Sequence, residues 1–188
     1  MDVAWRLAEE RGPLSLTMSE IAQAAAIGRA TLYKYFADVE SILVAYHAQH
    51  VERHLDELQR LASGPGTSAS RLVDLVQGYA MICFHRQRHG PTQLTALVHR
   101  GPEIVDVERR LHELFVAVLD EARAGGVTRH DMRAEEMAHF CLHALPAAGQ
   151  ANDADQVSRL VRVVLDGLGC AGKGPLGGSG AAAHRRRH

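Results

Sequence analysis

Aromatic side chains are scarce in this chain: Trp, Tyr and Phe make up 5% of it, with a single tryptophan. Runs alternating apolar and polar residues are missing too, so a core of β-branched and aromatic strands is not expected. Cysteine is nearly as rare. Cys83, Cys141 and Cys170 are far apart and odd in number, which argues against a disulfide framework. Cys83 and Cys141 fall inside apolar helical patterns and read as buried free thiols. No apolar run approaches the roughly 20 residues that cross a bilayer. The opening MDVAWRLAEERG is charged and amphipathic, without the apolar segment of a signal peptide. A cytoplasmic chain with no membrane partner is therefore expected. Charge of one sign is also lacking, with 21 Lys and Arg against 22 Asp and Glu. Any contact with a polyanion must therefore be local.

What is present is Ala, Leu and Val, in a chain that is 46% apolar. Ala and Leu favour helices, and the fold class expected is all-α. The length of 188 residues suits one large domain, or a small head and a body of about 120–130 residues. Gly and Pro divide the chain at Gly12-Pro13, Gly64-Pro65-Gly66, Gly90-Pro91, Gly101-Pro102, Gly125-Gly126 and from Pro146 to Asp153. Helical patterns lie between the breaks, at 2–11, 18–25, 29–35, 38–61, 69–89, 92–99, 103–124, 133–146 and 154–169. Thr17-Met18-Ser19-Glu20 has the form of a capping box, and Asp38 is placed to cap the long fourth helix. From about residue 172 the composition turns to Gly and Ala and ends in HRRRH, as in a flexible, solvated tail.

Helices 18–25 and 29–35, joined by Ala26-Ile27-Gly28 and preceded by another helix, have helix-turn-helix spacing. Ile21, Ala22, Ala25, Ile27 and Leu32 can form the seam between them. The second helix reads Arg29-Ala30-Thr31-Leu32-Tyr33-Lys34-Tyr35-Phe36. Two cations, two tyrosines, a threonine and no acid suit a major groove, where Arg and Lys reach phosphate or guanine and Thr meets a thymine methyl.

The segment TMSEIAQAAAIGRATLYKYFADVESIL resembles the DNA-binding signature of the TetR family of regulators. The residues that carry the resemblance are Thr17, Ile21, Ala22, Ala25, Ile27, Thr31, Leu32, Tyr33, Tyr35, Phe36, Glu40 and Leu43, and the TLYxYF run is the most specific part. The resemblance covers residues 2–46. It implies that Arg29, Thr31, Tyr33, Lys34 and Tyr35 face DNA, that Thr17 and Ser19 contact a phosphate, and that Leu32 and Phe36 are core. It further implies a helix-turn-helix domain at 1–46, a larger antiparallel ligand-binding and dimerisation domain at 47–171, and a tail at 172–188. A homodimer on a palindromic double-stranded DNA operator is implied, formed through the last two helices. Leu142, Leu145, Val157, Leu160, Val161 and Val164 are the interface candidates. The expected activity is that of a repressor released by a small, largely apolar effector, with no enzymatic function. The pocket candidates are Tyr79, Cys83, Gln93, His99, Phe115, Leu119, Phe140 and His143, each of which reads more readily as plain core than as a ligand contact.

The departures from the signature are local. Ala26 replaces the usual turn glycine, Gly28 the usual capping serine, Ala30 a small residue and Val39 a lysine. The chain starts inside the family's first helix, without the basic arm that often precedes it. Residues 1–46 hold four cations (Arg6, Arg11, Arg29, Lys34) and six acids (Asp2, Glu9, Glu10, Glu20, Asp38, Glu40). Modest, strongly salt-dependent DNA binding is expected. The alternative is a helical ligand-binding protein with degenerate DNA recognition.

Twelve histidines include several pairs at i, i+4, among them His50 and His54, His85 and His89, and His139 and His143. That spacing can chelate zinc, but no Cys or carboxylate completes a set and HExxH is absent. No metal and no cofactor is expected. His139 and His143, near Cys141, are the first place to look for one.

Overall fold

The computed structural model describes residues 1–88 and 102–170. Helix α1 (Asp2–Arg11) leads through a short 3-10 turn (Pro13–Ser15) to α2 (Met18–Ala24), α3 (Arg29–Tyr35) and the long α4 (Val39–Ala62). Then come α5 (Ser68–Arg88), α6 (Pro102–Ala124), α7 (Ala134–Ala144), a 3-10 stretch (Leu145–Gln150) and α8 (Ala154–Gly167). There is no strand among the described residues, so the all-α expectation holds. The helix expected at 92–99 and the tail at 172–188 lie outside the described residues.

The helices start and stop for local reasons. Asp38 accepts the Ser41 amide on its carboxylate at 2.7 Å, and its own N–H donates to the Ser41 hydroxyl oxygen at 3.3 Å, which fixes where α4 begins. Asp153 accepts the Gln156 amide at 2.8 Å and starts α8 in the same way. The helix expected to run to residue 146 stops as an α-helix at Ala144. Pro146 has no N–H for an i−4 bond, and its ring would meet the carbonyl four residues back. The chain continues as 3-10 helix instead, which keeps Leu145 and Ala148 buried.

Two apolar clusters result. The head cluster joins Ala4, Leu7 and Ala8 of α1, Leu16, Met18, Ile21 and Ala22, Leu32 of α3, and Ile42 and Leu43 of α4. The body cluster is built on α5, whose Leu72, Leu75, Val76, Ala80 and Cys83 meet Phe115, Leu119, Met137, Cys141, Val157, Val161 and Val164 from the later helices. Burying each such Leu, Val or Phe is worth about 1.5–3 kcal/mol. Helix α4 belongs to both clusters. Its first turns carry Ile42 and Leu43, and its last carry Leu58 and Ala62. One rigid element therefore runs from head to body.

Close approach holds the two ends of α4. Gly78 of α5 lies so near α4 that a Cβ there would sit 2.6 Å from a Leu61 methyl. At the other end Trp5 of α1 packs on Tyr46 (ring centroids 5.0 Å) and stacks on His47 (6.1 Å, 12°). Between them Arg110 of α6 donates to both carboxylate oxygens of Glu52, at 2.7 and 2.9 Å.

Candidate nucleic-acid interface

The start of α2 is a closed capping box. The Thr17 hydroxyl accepts the Glu20 amide at 3.3 Å and donates to the Glu20 carboxylate at 2.7 Å. The Thr17 N–H donates to the same carboxylate at 2.9 Å. These donors, the hydroxyl first, hold the Glu20 carboxyl below its usual range, with Arg11 at 3.7 Å adding to the effect. The proton of the Thr17 hydroxyl is thus committed to Glu20, and a phosphate at this helix start must draw it away.

Helix α2 ends in a Schellman motif. The Ile27 N–H reaches the Ala22 carbonyl at 3.0 Å, and the Ala26 N–H reaches the Gln23 carbonyl at 3.1 Å. The residue that turns the chain is Ala26, at φ 54°, the one non-glycine with positive φ among the described residues. Ile27, expected in the seam, is instead exposed, because its amide is turned in to close the motif while the Ala22 methyl opposite it is too short to hold its side chain. Ile21, Ala22 and Leu32 are the buried part of the seam, with Ala25 half-buried.

Gly28 is the N-cap of α3, in extended backbone and with no side-chain acceptor. One turn later Leu32 is buried, and Phe36 is half-buried against the head cluster. Anchoring on these two residues turns the rest of the helix outward. Arg29, Ala30, Thr31, Tyr33, Lys34 and Tyr35 are all exposed, Tyr33 by 54% and Tyr35 by 70%. Lys34 Nζ lies 6.0 Å from the Tyr35 ring centre. Three of the head's six acids are engaged elsewhere: Glu9 accepts from Trp5 Nε1, Glu20 from Thr17 and Asp38 from Ser41. Of the two residues implied to touch phosphate, Thr17 is exposed and Ser19 half-buried.

The candidates in the body fall into different places. Tyr79, Cys83, Phe115 and Leu119 come together in the body core, with the Tyr79 and Phe115 rings edge-on at 5.6 Å. Burial raises both the Tyr79 hydroxyl and the Cys83 thiol above their ordinary ranges. Phe140 and His143 are exposed on the outer side of α7 and do not join them. Gln93 and His99 lie outside the described residues.

Of the interface candidates, Leu145, Val157, Val161 and Val164 are buried inside their own chain. They have no surface left to offer a partner, because they form the inward stripes of the last two helices. Leu142 and Leu160 are half-buried. The apolar residues left outside are Phe140, 40% exposed, and Val163, 65% exposed. Phe140 packs over Gly167, where a Cβ would sit 3.2 Å from its ring. The signal for these two was present in the sequence: each is an apolar residue on the polar side of its helix.

Among the described residues, no group of three or more His, Cys, Asp or Glu is arranged to hold a metal ion within one chain. No described helix is long and apolar enough to cross a membrane.

A short outward-facing helix seated on two others, carried by a larger helical body, defines a helix-turn-helix protein of the all-α kind. Residues 1–46 match the model of the bacterial regulatory proteins, tetR family. An uncharacterized HTH-type transcriptional regulator of Mycobacterium tuberculosis is 45% identical over 53 residues, which is 28% of this chain and 26% of that protein. The chain thus matches about a quarter of that relative's length. In overall fold it is similar to a TetR/AcrR-family transcriptional regulator from Thermobifida fusca, with TM-score 0.76 and 21% identity over 88% of this chain and 94% of the other. It is also similar to the transcriptional regulator FadR from Bacillus subtilis, solved in complex with stearoyl-CoA, with TM-score 0.63 and 16% identity over 89% and 94% of the two chains. The likeness in sequence to the TetR family thus lies in residues 1–46, and the remaining described residues share the fold of solved TetR/AcrR proteins.

Proposed function

We propose that this protein is a transcriptional repressor that binds a palindromic DNA operator as a homodimer and is released by a small, largely apolar effector. The observation that carries the reading is α3. Arg29, Thr31, Tyr33, Lys34 and Tyr35 stand on its exposed surface with no acid among them, while Leu32 anchors the helix to the head. Thr17 and Ser19 flank it at the start of α2 as phosphate contacts.

A palindromic operator needs two such helices about one DNA turn, roughly 34–36 Å, apart. A second copy of the chain supplies the other. Its seat on this chain is the outer side of α7 and α8, where Phe140, Leu160 and Val163 form an apolar strip left uncovered by the chain's own core. The effector's seat is the body core around Tyr79, Cys83, Phe115 and Leu119, where the Tyr79 hydroxyl and the Cys83 thiol are the polar anchors in an apolar wall. The stearoyl-CoA of the Bacillus subtilis FadR complex makes long-chain acyl compounds a sensible first panel of ligands. Effector binding acts through α4, which spans both clusters.

The test is an electrophoretic shift on DNA flanking the chain's own gene, at low salt, with wild type and Tyr33→Ala. A sequence-specific band that Tyr33→Ala loses supports the proposal. Absence of any specific band overturns it in favour of a helical ligand-binding protein with degenerate DNA recognition, a reading favoured by the head's six acids against four cations.

A further inference from the structure

Three histidines stand in a row across α6 and α7. The rings of His112 and His139 have centroids 4.7 Å apart, and those of His139 and His143 are 6.4 Å apart. Two imidazoles on one tetrahedral zinc, with Zn–N of about 2.0–2.1 Å, have centroids about 5 Å apart. The i, i+4 pair is therefore about one small ring adjustment from chelating distance. His143 is also prepared as a ligand. Its Nδ1 lies 2.7 Å from the His139 carbonyl oxygen and donates to it. This fixes the tautomer and leaves the Nε2 lone pair free, the arrangement in which proteins hold metal-binding imidazoles.

Two imidazoles make half of a tetrahedral set, and among the described residues no group of three or more ligands is arranged to hold a metal ion. The other half has an evident source. On the helical wheel of α7, His143 falls between His139 and Phe140, and all three are exposed. Phe140 in turn packs on Gly167 of α8, on the same outer side as Leu160 and Val163. The histidine pair thus borders the strip proposed to meet a second copy. A contact made there about a two-fold axis is self-complementary, and an axis that passes beside α7 brings the same pair from both chains together.

We infer that His139 and His143 of two chains form a shared site for a zinc-type dication, also open to nickel or copper, which locks the dimer. The inference rests on the dimer reading above. The other fully described pair is unsuited to this role, since Arg53 Nη2 lies 2.7 and 3.0 Å from the two ring nitrogens of His50 and sets a fixed cation beside it. His112 offers the competing geometry, a chelate with His139 inside one chain, because its Nε2 is buried without a hydrogen-bond partner.

The test uses the untagged full chain, stripped with chelator and titrated with zinc. Native mass spectrometry gives the stoichiometry and sedimentation gives the dimer dissociation constant. The expected result is one zinc per two chains lost in both His139→Ala and His143→Ala, but kept in His112→Ala and His50→Ala. With zinc at ten times its own Kd, the dimer dissociation constant falls about tenfold. One zinc per chain, lost in His112→Ala, overturns the shared site in favour of the intrachain chelate. Zinc retained by His143→Ala overturns it outright. A dimer that forms equally with and without zinc, and holds none, sinks the inference and leaves the dimer reading standing. A chain that stays monomeric throughout sinks both.

Discussion

Ala26 holds a left-handed backbone at φ 54° so that the Ile27 amide can close the end of α2. The same motif recurs after α6, where the Val127 N–H reaches the Ala122 carbonyl at 2.8 Å and the turning residue is Gly126, at φ 67°. An alanine in this conformation costs roughly 1–2 kcal/mol, offset in part by the lower entropy of its unfolded chain. Ala26→Gly is therefore expected to stabilise the protein by about 0.5–1 kcal/mol. Gly126→Ala, at a position with open space for a Cβ, is expected to destabilise it by a similar amount. Urea unfolding of the two variants checks the pair, and shifts of the same sign refute the account. The departure at Ala26 was legible in the sequence, but its strain was not, because a residue type alone does not say which φ it adopts.

Glu20 offers a second residue-scale test, in pH. Its carboxyl is held below the ordinary value of 4.5, first by the Thr17 hydroxyl and then by the Thr17 amide. A depressed folded pKa stabilises above the unfolded value, and that stabilisation is lost as pH falls through the folded one. Stability measured against pH for wild type and Glu20→Gln should differ by a constant amount at neutral pH. The gap should narrow steadily below about pH 4.5. A gap that is unchanged down to the acid unfolding limit rules out the capping carboxylate as its cause.

At the scale of elements, helical periodicity and end signals located the described helices well. Thr17, Asp38 and Asp153 cap where their residue types require, and Pro146 stops α7 for a covalent reason. Periodicity says less about what an apolar stripe touches. The stripe Val157, Val161, Val164 is expected from the resemblance to face a partner, and packing against α5 and the 145–150 stretch assigns it to the chain's own core. Links between helices distant in sequence are the hardest to read. Glu52 and Arg110 are 58 residues apart and lie on charged helix faces, yet they tie α6 to the middle of α4. The pair is a direct polar path from body to connecting helix. The pair is only partly buried, with side chains 30% and 44% exposed, so solvent screening keeps its worth below about 1 kcal/mol. A double-mutant cycle with Arg110→Ala and Glu52→Ala in thermal unfolding should give a positive coupling within that limit. A coupling indistinguishable from zero removes the bridge from any relay through α4.

For the whole molecule, the proposed function makes DNA binding depend on the balance of charge and on the exposed apolar residues of α7 and α8. With Arg29 and Lys34 as the cations of α3, the proposed interface makes few phosphate contacts, so each matters. Replacing either with alanine should lower the slope of log K against log salt by about 0.9 for each copy in the complex. On the proposed dimer reading, so few contacts would make binding by one chain weak, and pairing would convert the second half-site into an intramolecular event worth about 10²- to 10⁴-fold. Val163 separates this effect from folding. It is 65% exposed in the single chain, so Val163→Glu leaves the body core intact, yet it sets two carboxylates in an apolar contact between copies. The expected outcome is a chain with an unchanged unfolding curve at dilution and a monomeric sedimentation profile. Its operator affinity should fall at least about a hundredfold. If Val163→Glu remains a dimer with wild-type affinity, the outer side of α7 and α8 is not where the two copies meet. The exposed apolar pair Phe140 and Val163 would then belong to some other contact.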